Sequence, residues 1–140
     1  MKNILIISTG ILSAYLSKFL LSKKYKIYVT TSKQRPSYRN FKKLKIDNKI
    51  IFNKLNIYNQ KSIEKTISKI NPSIIFYFAG QSSIAKSLLL REETLKSNYI
   101  GCKNFLEVLK KKNSSIKLIK ANSGYIFSDK KKINFSNPKF

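Results

Sequence analysis

The sequence predicts an α/β fold built on a doubly wound parallel sheet, and three observations point to it. Short apolar runs of strand length alternate with segments in which apolar residues recur at helical spacing. The runs are nearly continuous, which is typical of strands buried on both faces. Helical segments separate most of the runs, and such crossovers join parallel strands in a right-handed sense with helices on both faces of the sheet. We expect the 140 residues to form one domain.

The first half of the chain is predicted to hold three strands. They are "NILIIS" (3–8), "KIYVTT" (26–31) and "KIIFNKL" (49–55). A helix over 11–23 follows the first strand, and a basic, irregular connection that contains Pro36 precedes the third. The apolar spacing predicts that this helix buries Leu12, Tyr15, Leu16, Phe19 and Leu20.

The second half continues the alternation of strand and helix. A helix over 62–70 is stopped by Asn71 and Pro72. A strand follows at 73–80, then a helix from about Glu92 to Lys112, and then a fifth strand. This last strand is "SIKLIKANS" (115–123), and the remaining stretch "DKKKINFSNPKF" has no strong pattern.

Composition excludes some classes of protein. The apolar residues, 42% of the chain, fall in runs too short to span a bilayer, and no secretory signal pattern is present. We therefore expect a cytoplasmic protein without a membrane partner. The chain has no histidine, so a Cys/His metal cluster is not expected. The single cysteine, Cys102, lies in a helical pattern and is predicted to be a buried packing residue.

The net charge of +23 is compatible with a polyanion partner, because clustered cations release counterions from phosphates. However, lysines occupy nearly every exposed position of every predicted element. This distribution favours a solvated lysine surface without a specific nucleic-acid partner. The run Lys130 to Lys132 is the best local exception.

The stretch "IISTGILSAYLSKFLL" passes from the first strand into the first helix. In doubly wound folds this turn binds a pyrophosphate, because free backbone N–H groups and the helix dipole favour an anion. The usual glycine spacing G-x-x-G-x-x-G places Ile7, Gly10 and Ser13 in the three positions. Ser13 is small, whereas Ile7 puts a branched side chain where we expect the turn to begin. From the turn alone, a phosphate site and a plain strand-to-helix connection both remain open.

Longer segments resemble a known family. "LIISTGILSAYLSKFLL" resembles the T-G-x-x-G-Q-D-G-S-Y-L-A-E-F-L-L opening of GDP-mannose 4,6-dehydratases, which are extended short-chain dehydrogenases/reductases of the NAD-dependent epimerase/dehydratase family. "NPSIIFYFAGQSS" is similar to their K-P-D-E-I-Y-N-L-A-A-Q-S segment, and "ANSGYIFS" to A-S-T-S-E-L-Y-G. The resemblance implies a Rossmann-like, NAD(P)-binding domain over residues 1–140 that acts on a nucleotide sugar and could form a homo-oligomer.

The resemblance also assigns cofactor residues. The pyrophosphate turn would be Thr9, Gly10, Ile11 and Leu12. Ile11 and Leu12 stand where the family has Gln and Asp, so contacts there could come only from the backbone. The adenine side would be Asn56, at a family Asp, with Ile57; alternatively, Asn56 is simply a turn residue. The ribose and nicotinamide side would be Ala79, Gly80 and Gln81.

The end of the second strand usually selects between the two nicotinamide cofactors, because an acidic side chain there binds the ribose 2′-OH of NAD. Here no acid is present, and the residues that follow the strand are Ser32, Lys33, Gln34 and Arg35. Two cations beside a hydroxyl favour NADP over NAD, although a solvated loop is an alternative.

The resemblance places the catalytic Ser/Thr at Ser123, which would hydrogen-bond a sugar oxygen during hydride transfer. Tyr125 stands at the dehydratase glutamate, and Ser82 and Ser87 match polar positions on the substrate side. "INFSNPKF" is similar to the segment before the family's Tyr-x-x-x-Lys pair, and neither that pair nor the C-terminal substrate lobe is present. We therefore expect an incomplete chain.

Two other functions remain open. "NSGYIFSD" resembles the S-T-D-Y-V-F-D-G segment of dTDP-4-dehydrorhamnose reductases, so the chain could belong to a sugar-nucleotide 4-keto reductase. A non-catalytic dinucleotide- or polyanion-binding remnant would also account for the missing glycines and the missing Tyr-x-x-x-Lys pair.

Overall fold

Five parallel strands form the sheet in the computed structural model, in the order β3-β2-β1-β4-β5. The structure describes residues 2–32, 38–112 and 114–122. The strands are β1 (Asn3–Ile7), β2 (Lys26–Thr31), β3 (Ile51–Lys54), β4 (Ile74–Tyr77) and β5 (Lys117–Lys120). All five predicted strands are present in a doubly wound parallel sheet, and the predicted fold class is confirmed.

Helices cover both faces of this sheet. They are α1 (Ile11–Ser22), α2 (Arg39–Lys43), α3 (Gln60–Ile70), α4 (Ile84–Leu89), α5 (Arg91–Leu95) and α6 (Gly101–Lys111). A 3₁₀ turn spans Asp47–Lys49, and a π turn spans Lys96–Ile100 between α5 and α6. The helix predicted over 92–112 is therefore α5, the π turn and α6 in succession. The short helices α2 and α4 were not predicted.

Two apolar clusters form the core, one on each face of the sheet. Alternate residues of β1 separate them: Leu5 and Ile7 belong to the cluster under α3 and α6, whereas Ile4 and Ile6 belong to the cluster under α1 and α2. All four side chains are at most 2% exposed, which explains why this strand is apolar without interruption.

Helix α3 buries one regular apolar face against the sheet. Its sheet-facing residues Ile63, Ile67 and Ile70 are buried at helical spacing. The helix begins after Asn59, whose side chain accepts a hydrogen bond from the Ser62 N–H (3.0 Å). It ends at Asn71 in the left-handed conformation. Burial of each isoleucine stabilises the fold by about 1.5–3 kcal/mol.

Helix α1 corrects the sequence prediction. Of the face predicted to be buried, only Leu20 is buried and Leu16 is half-buried. Leu12, Tyr15 and Phe19 are 54–59% exposed. The residues that face the sheet are small and fully buried: Ser13, Ala14 and Ser17. Small side chains on this face let the helix approach the strands closely. The exposed large side chains have no room in that contact and therefore lie on the outer face of the helix.

The described lysines are exposed on every element, except for the half-buried Lys120. Within residues 2–32, 38–112 and 114–122, three ion pairs join lysines to glutamates at 3.6–3.8 Å, and all three lie at the surface. Lys130 to Lys132 lie outside the described residues. No helix in the described part of the chain has the length and apolar character needed to cross a membrane.

Candidate functional site

The candidate site lies at the carboxyl edge of the sheet, between β1 and β4. From β1 the chain winds outward through α1 to β2 and β3, and α3 then returns it to β4 on the other side of β1. The chain therefore leaves β1 toward one face of the sheet and leaves β4 toward the other face. Open α/β sheets bind ligands at this kind of topological switch point.

The turn after β1 begins at Ser8. Ser8 has a φ of 150°, a conformation that normally favours glycine. Its Oγ accepts a hydrogen bond from the Gly10 N–H (3.0 Å), which closes the turn. Ile7, which we expected to disturb the turn, is an ordinary strand residue paired with Thr30 and Tyr77. The residue of this turn whose backbone conformation favours glycine is therefore Ser8 and not Ile7, which the sequence analysis did not predict.

Gly10 is the N-cap of α1 and has an ordinary φ of −68°. A Cβ atom built there would meet only Ser8 Oγ, at 3.4 Å, which is normal van der Waals contact. Neither the fold nor the backbone conformation therefore requires glycine at this position. Gly10 is exposed, so its lack of a side chain leaves the backbone open to a ligand.

The first turn of α1 presents backbone donors without a competing side chain. No side chain caps this helix, and its first turn carries no acid. Thr9 is half-buried, whereas the apolar side chains of Ile11 and Leu12 are exposed and offer no hydrogen bond. Ser13 Oγ is fully buried and has no hydrogen-bond partner among the described residues. Apart from the Thr9 hydroxyl, the groups of this turn that can bind an anion are therefore its unpaired backbone N–H groups.

The loops after β2 and β3 hold further predicted residues. Ser32 is exposed directly after β2, but Lys33, Gln34 and Arg35 lie outside the described residues, so the basis of the NADP prediction is not tested. Asn56 is exposed, and its Oδ1 accepts a hydrogen bond from the Tyr58 N–H (2.9 Å). Asn56 therefore does form the turn that we considered as its alternative role.

Ile57 is half-buried beside Asn56. Its carbonyl accepts a hydrogen bond from Asn104 Nδ2 (3.1 Å). Asn104 lies on the buried face of α6, 47 residues away in sequence. The adenine side predicted from the sequence is thus held in place by a residue that we did not predict.

The loop after β4 contains the remaining predicted cofactor residues. Ala79 and Gln81 are half-buried, while Gly80 is exposed and has a φ of 152°. Both backbone polar groups of Gln81 are hydrogen-bonded to the side chain of Asn98. Gln81 Oε1 in turn accepts from the Ser83 N–H (3.0 Å). Two side-chain amides, those of Asn98 and Gln81, therefore hold this loop around Gln81.

The residues predicted on the substrate side are only partly described. Ser82 is exposed, and Ser87 Oγ donates to the Ile84 carbonyl within α4 (2.7 Å). Ser123 and Tyr125 lie outside the described residues. Their predicted roles therefore remain predictions.

Two titratable groups lie buried between β4 and α6. Cys102 is buried, as predicted, and burial raises the pKa of its thiol. Burial also raises the pKa of the Tyr77 phenol far above its usual value, and its OH donates to the Ser97 carbonyl (2.9 Å). Both groups are therefore neutral near pH 7 and pack the core.

Two asparagines of the segment 92–112 have roles that the sequence analysis did not predict. Asn98 and Asn104 each hydrogen-bond a loop at the carboxyl edge of the sheet, and no pattern in the local sequence marks either residue. Within residues 2–32, 38–112 and 114–122, no group of His, Cys, Asp and Glu could hold a metal ion.

Known proteins resemble this chain in both sequence and fold. A family model described as GDP-mannose 4,6 dehydratase matches residues 8–138. The chain is also similar to the UDP-glucose 4-epimerase of Mycoplasma pneumoniae, with 27% identity over 73 residues, which are 52% of this chain and 22% of that protein.

Solved structures share the fold. The UDP-glucose 4-epimerase of Thermotoga maritima, solved with UDP-glucose, superposes with a TM-score of 0.72 and 24% identity over 87% of this chain and 38% of that chain. The UDP-glucose 4-epimerase of Bifidobacterium longum, solved with NAD+ and UDP, gives a TM-score of 0.76 and 20% identity over 88% and 37% of the two chains. The present chain thus spans less than two fifths of the length of these relatives.

Proposed function

The chain belongs to the nucleotide-sugar epimerase and dehydratase family whose model is described as GDP-mannose 4,6 dehydratase, and from this we propose that it binds NAD at the carboxyl edge of its sheet. One observation carries the proposal. The uncapped N-terminus of α1 and the exposed Gly10 backbone lie at the point where the loops of β1 and β4 diverge. This is where a pyrophosphate gains from both free N–H groups and the helix dipole.

The residues present fit such a ligand. The pyrophosphate would lie against Thr9, Gly10, Ile11 and Leu12 and be held by the N–H groups that are not already hydrogen-bonded, such as those of Ile11 and Leu12, because the Gly10 N–H bonds to Ser8 Oγ. The side chains of Ile11 and Leu12 are apolar and offer no hydrogen bond. Asn56 and Ile57 would face the adenine, since a carbonyl oxygen with two lone pairs can serve both its turn and an amino group. Ala79, Gly80 and Gln81 would border the ribose and nicotinamide.

NAD is proposed ahead of NADP. The sequence favoured NADP through Lys33 and Arg35, but several similar structures, including that from Bifidobacterium longum, were solved with NAD. Bound NAD would supply a hydride acceptor. We propose that the substrate is a sugar carried on a nucleoside diphosphate, since the similar proteins named above are UDP-glucose epimerases and the matching family is a GDP-mannose dehydratase family.

Within this proposal the chain's own residues orient the substrate. Ser82 and Ser87 would contact the sugar nucleotide, Ser123 would hydrogen-bond the reacting sugar oxygen, and Tyr125 would lie beside it.

A Gly10→Ala variant tests the proposed cofactor site. Since the added methyl group has room in the free protein, we expect the free energy of unfolding to change by less than about 1 kcal/mol. The methyl group would block the approach of the pyrophosphate, so NAD affinity should fall about tenfold or more, which is about 1.4 kcal/mol.

Calorimetric titration of the purified chain with NAD+ and NADP+ gives the measurement. Because only backbone groups serve the pyrophosphate, we expect a wild-type Kd above about 1 μM, corresponding to about −8 kcal/mol. Ser22→Ala, at the other end of α1, is the matched control and should bind like wild type. Equal NAD binding by Gly10→Ala and wild type, or tighter binding of NADP+, would contradict the corresponding part of the proposal.

A further inference from the structure

We propose that Asn98 is a positioning residue for the dinucleotide site, because its side chain sets the conformation of the loop Ala79–Gln81. This inference rests on the proposed NAD binding. Asn98 does not itself need to touch the ligand. It acts on the loop after β4, whose backbone we place beside the ribose and nicotinamide.

The contacts of Asn98 define one orientation of its amide. Asn98 Oδ1 accepts a hydrogen bond from the Gln81 N–H (2.7 Å), and Asn98 Nδ2 donates to the Gln81 carbonyl (3.0 Å). Ser97 Oγ also donates to Asn98 Oδ1 (3.0 Å). Two antiparallel bonds to a single residue restrain the direction of the backbone as well as its position.

Gly80 explains why this restraint is tight. Its φ of 152° is strained for any residue with a side chain. A Cβ atom at this position would also lie 2.6 Å from Asn98 Oδ1, well inside van der Waals contact. The loop can therefore close onto Asn98 only because position 80 has no side chain.

The π turn brings Asn98 to this loop. An extra residue in a helical turn rotates the preceding residues by about 100° relative to the helix that follows. Asn98 consequently faces the β4 loop while Cys102 and Phe105 of α6 still face the core. The Tyr77 OH donates to the Ser97 carbonyl within the same turn, which anchors the turn to β4.

Asn98 therefore determines how often the loop adopts the conformation that can bind NAD. Both backbone groups of Gln81 are occupied by Asn98, so these groups serve the loop and not the ligand. Without Asn98 the loop would sample other conformations, and the apparent affinity falls in proportion to the competent fraction. A competent fraction of roughly one tenth gives a tenfold weaker Kd for NAD.

Asn98→Ala tests this inference through two measurements on the purified chain. Hydrogen exchange at the Gln81 amide should become at least about tenfold faster, while amides in β1 and α3 exchange as in wild type. Calorimetry should show a Kd for NAD+ about tenfold weaker than wild type. Asn48→Ala, an exposed asparagine in the 3₁₀ turn, should leave both values unchanged.

Asn98→Asp separates the effects of the two hydrogen bonds, and it provides a second test if the alanine variant does not fold. A carboxylate keeps the acceptor for the Gln81 N–H but loses the donor to the Gln81 carbonyl. We therefore expect protection at the Gln81 amide to be partly kept, and NAD+ affinity to be lowered because the carbonyl is no longer held.

The outcomes distinguish this inference from the function it rests on. If the wild-type chain binds no NAD+, the proposed function and this inference both fall, even when exchange at Gln81 responds as expected. If wild type binds NAD+ and both variants bind it equally well while Gln81 exchange accelerates, only the positioning role is overturned. Faster Gln81 exchange together with weaker NAD+ binding in either variant supports the positioning role.

Discussion

Helices α1 and α3 cover opposite faces of one sheet and bury opposite kinds of side chain. Helix α3 places Ile63, Ile67 and Ile70 against the strands. Helix α1 places Ser13, Ala14 and Ser17 there, with Leu20 as its one large buried residue, and carries most of its other large apolar residues toward solvent. The large exposed side chains of α1 are Ile11, Leu12, Tyr15 and Phe19.

The length of the connection between strand and helix explains why α1 buries small side chains whereas α3 buries large ones. Three residues, 8–10, separate β1 from α1, so the helix must begin directly at the end of a central strand. The buried Ser17 Oγ donates to the Ser13 carbonyl (2.7 Å), so even its polar group is satisfied within the helix. Helix α3 follows β3 after a longer loop and packs through a full layer of isoleucine side chains. Close packing of the first helix is what places its N-terminus at the candidate site.

The largest change in the free energy of unfolding is expected in α3, where large side chains form the contact with the sheet. Ile67→Ala in α3 removes a 3% exposed side chain from the core and should destabilise the fold by about 2–5 kcal/mol, through lost apolar burial and the cavity left behind. Urea unfolding followed by circular dichroism measures this change. A loss below about 1 kcal/mol would mean that α3 repacks freely and does not depend on its isoleucines.

A smaller loss of stability is expected in α1, and it comes from added volume instead of a cavity. Ser17→Leu adds volume where the helix and sheet are already in contact, and overpacking of this kind costs about 1–3 kcal/mol. Ser22→Leu, an exposed serine in the same helix, is the control and should change the free energy of unfolding by about 0.5 kcal/mol or less. If Ser17→Leu is stabilising, α1 does not lie close to the sheet.

The smallest effect is expected on the outer face of α1. Phe19 is 58% exposed, with Lys23 Nζ 5.7 Å from its ring centre, so Phe19→Ala should change the free energy of unfolding by about 0.5 kcal/mol. The same urea titration, repeated at two protein concentrations, provides the check. A concentration-dependent loss above about 2 kcal/mol would show that this face is buried in an assembly.

Most of the fold and part of the candidate site could be predicted from the sequence. All five strands were located because buried parallel strands leave continuous apolar runs. Gly10 was singled out because it separates the first apolar run from the helical pattern, whereas Asn56 and Gly80 were assigned through the family resemblance. All three lie in loops that follow strands. The fifth strand ends at Lys120, earlier than predicted, and α4 was missed because six residues are too few to show helical periodicity.

The remaining features depend on contacts between distant parts of the chain. Asn98 bonds to a residue 17 positions away and Asn104 to one 47 positions away, so neither role has a local signature. The positive φ of Ser8 likewise has no signature in the local sequence.

The sequence by itself determined the alternation of strands and helices, the crossovers and the position of the first turn, since these follow from local periodicity and turn chemistry. Only the tertiary structure decided which face of α1 is buried and which amides hold the loops. Both depend on how closely the helices approach the sheet, a distance set by the whole packed layer and not by any one segment.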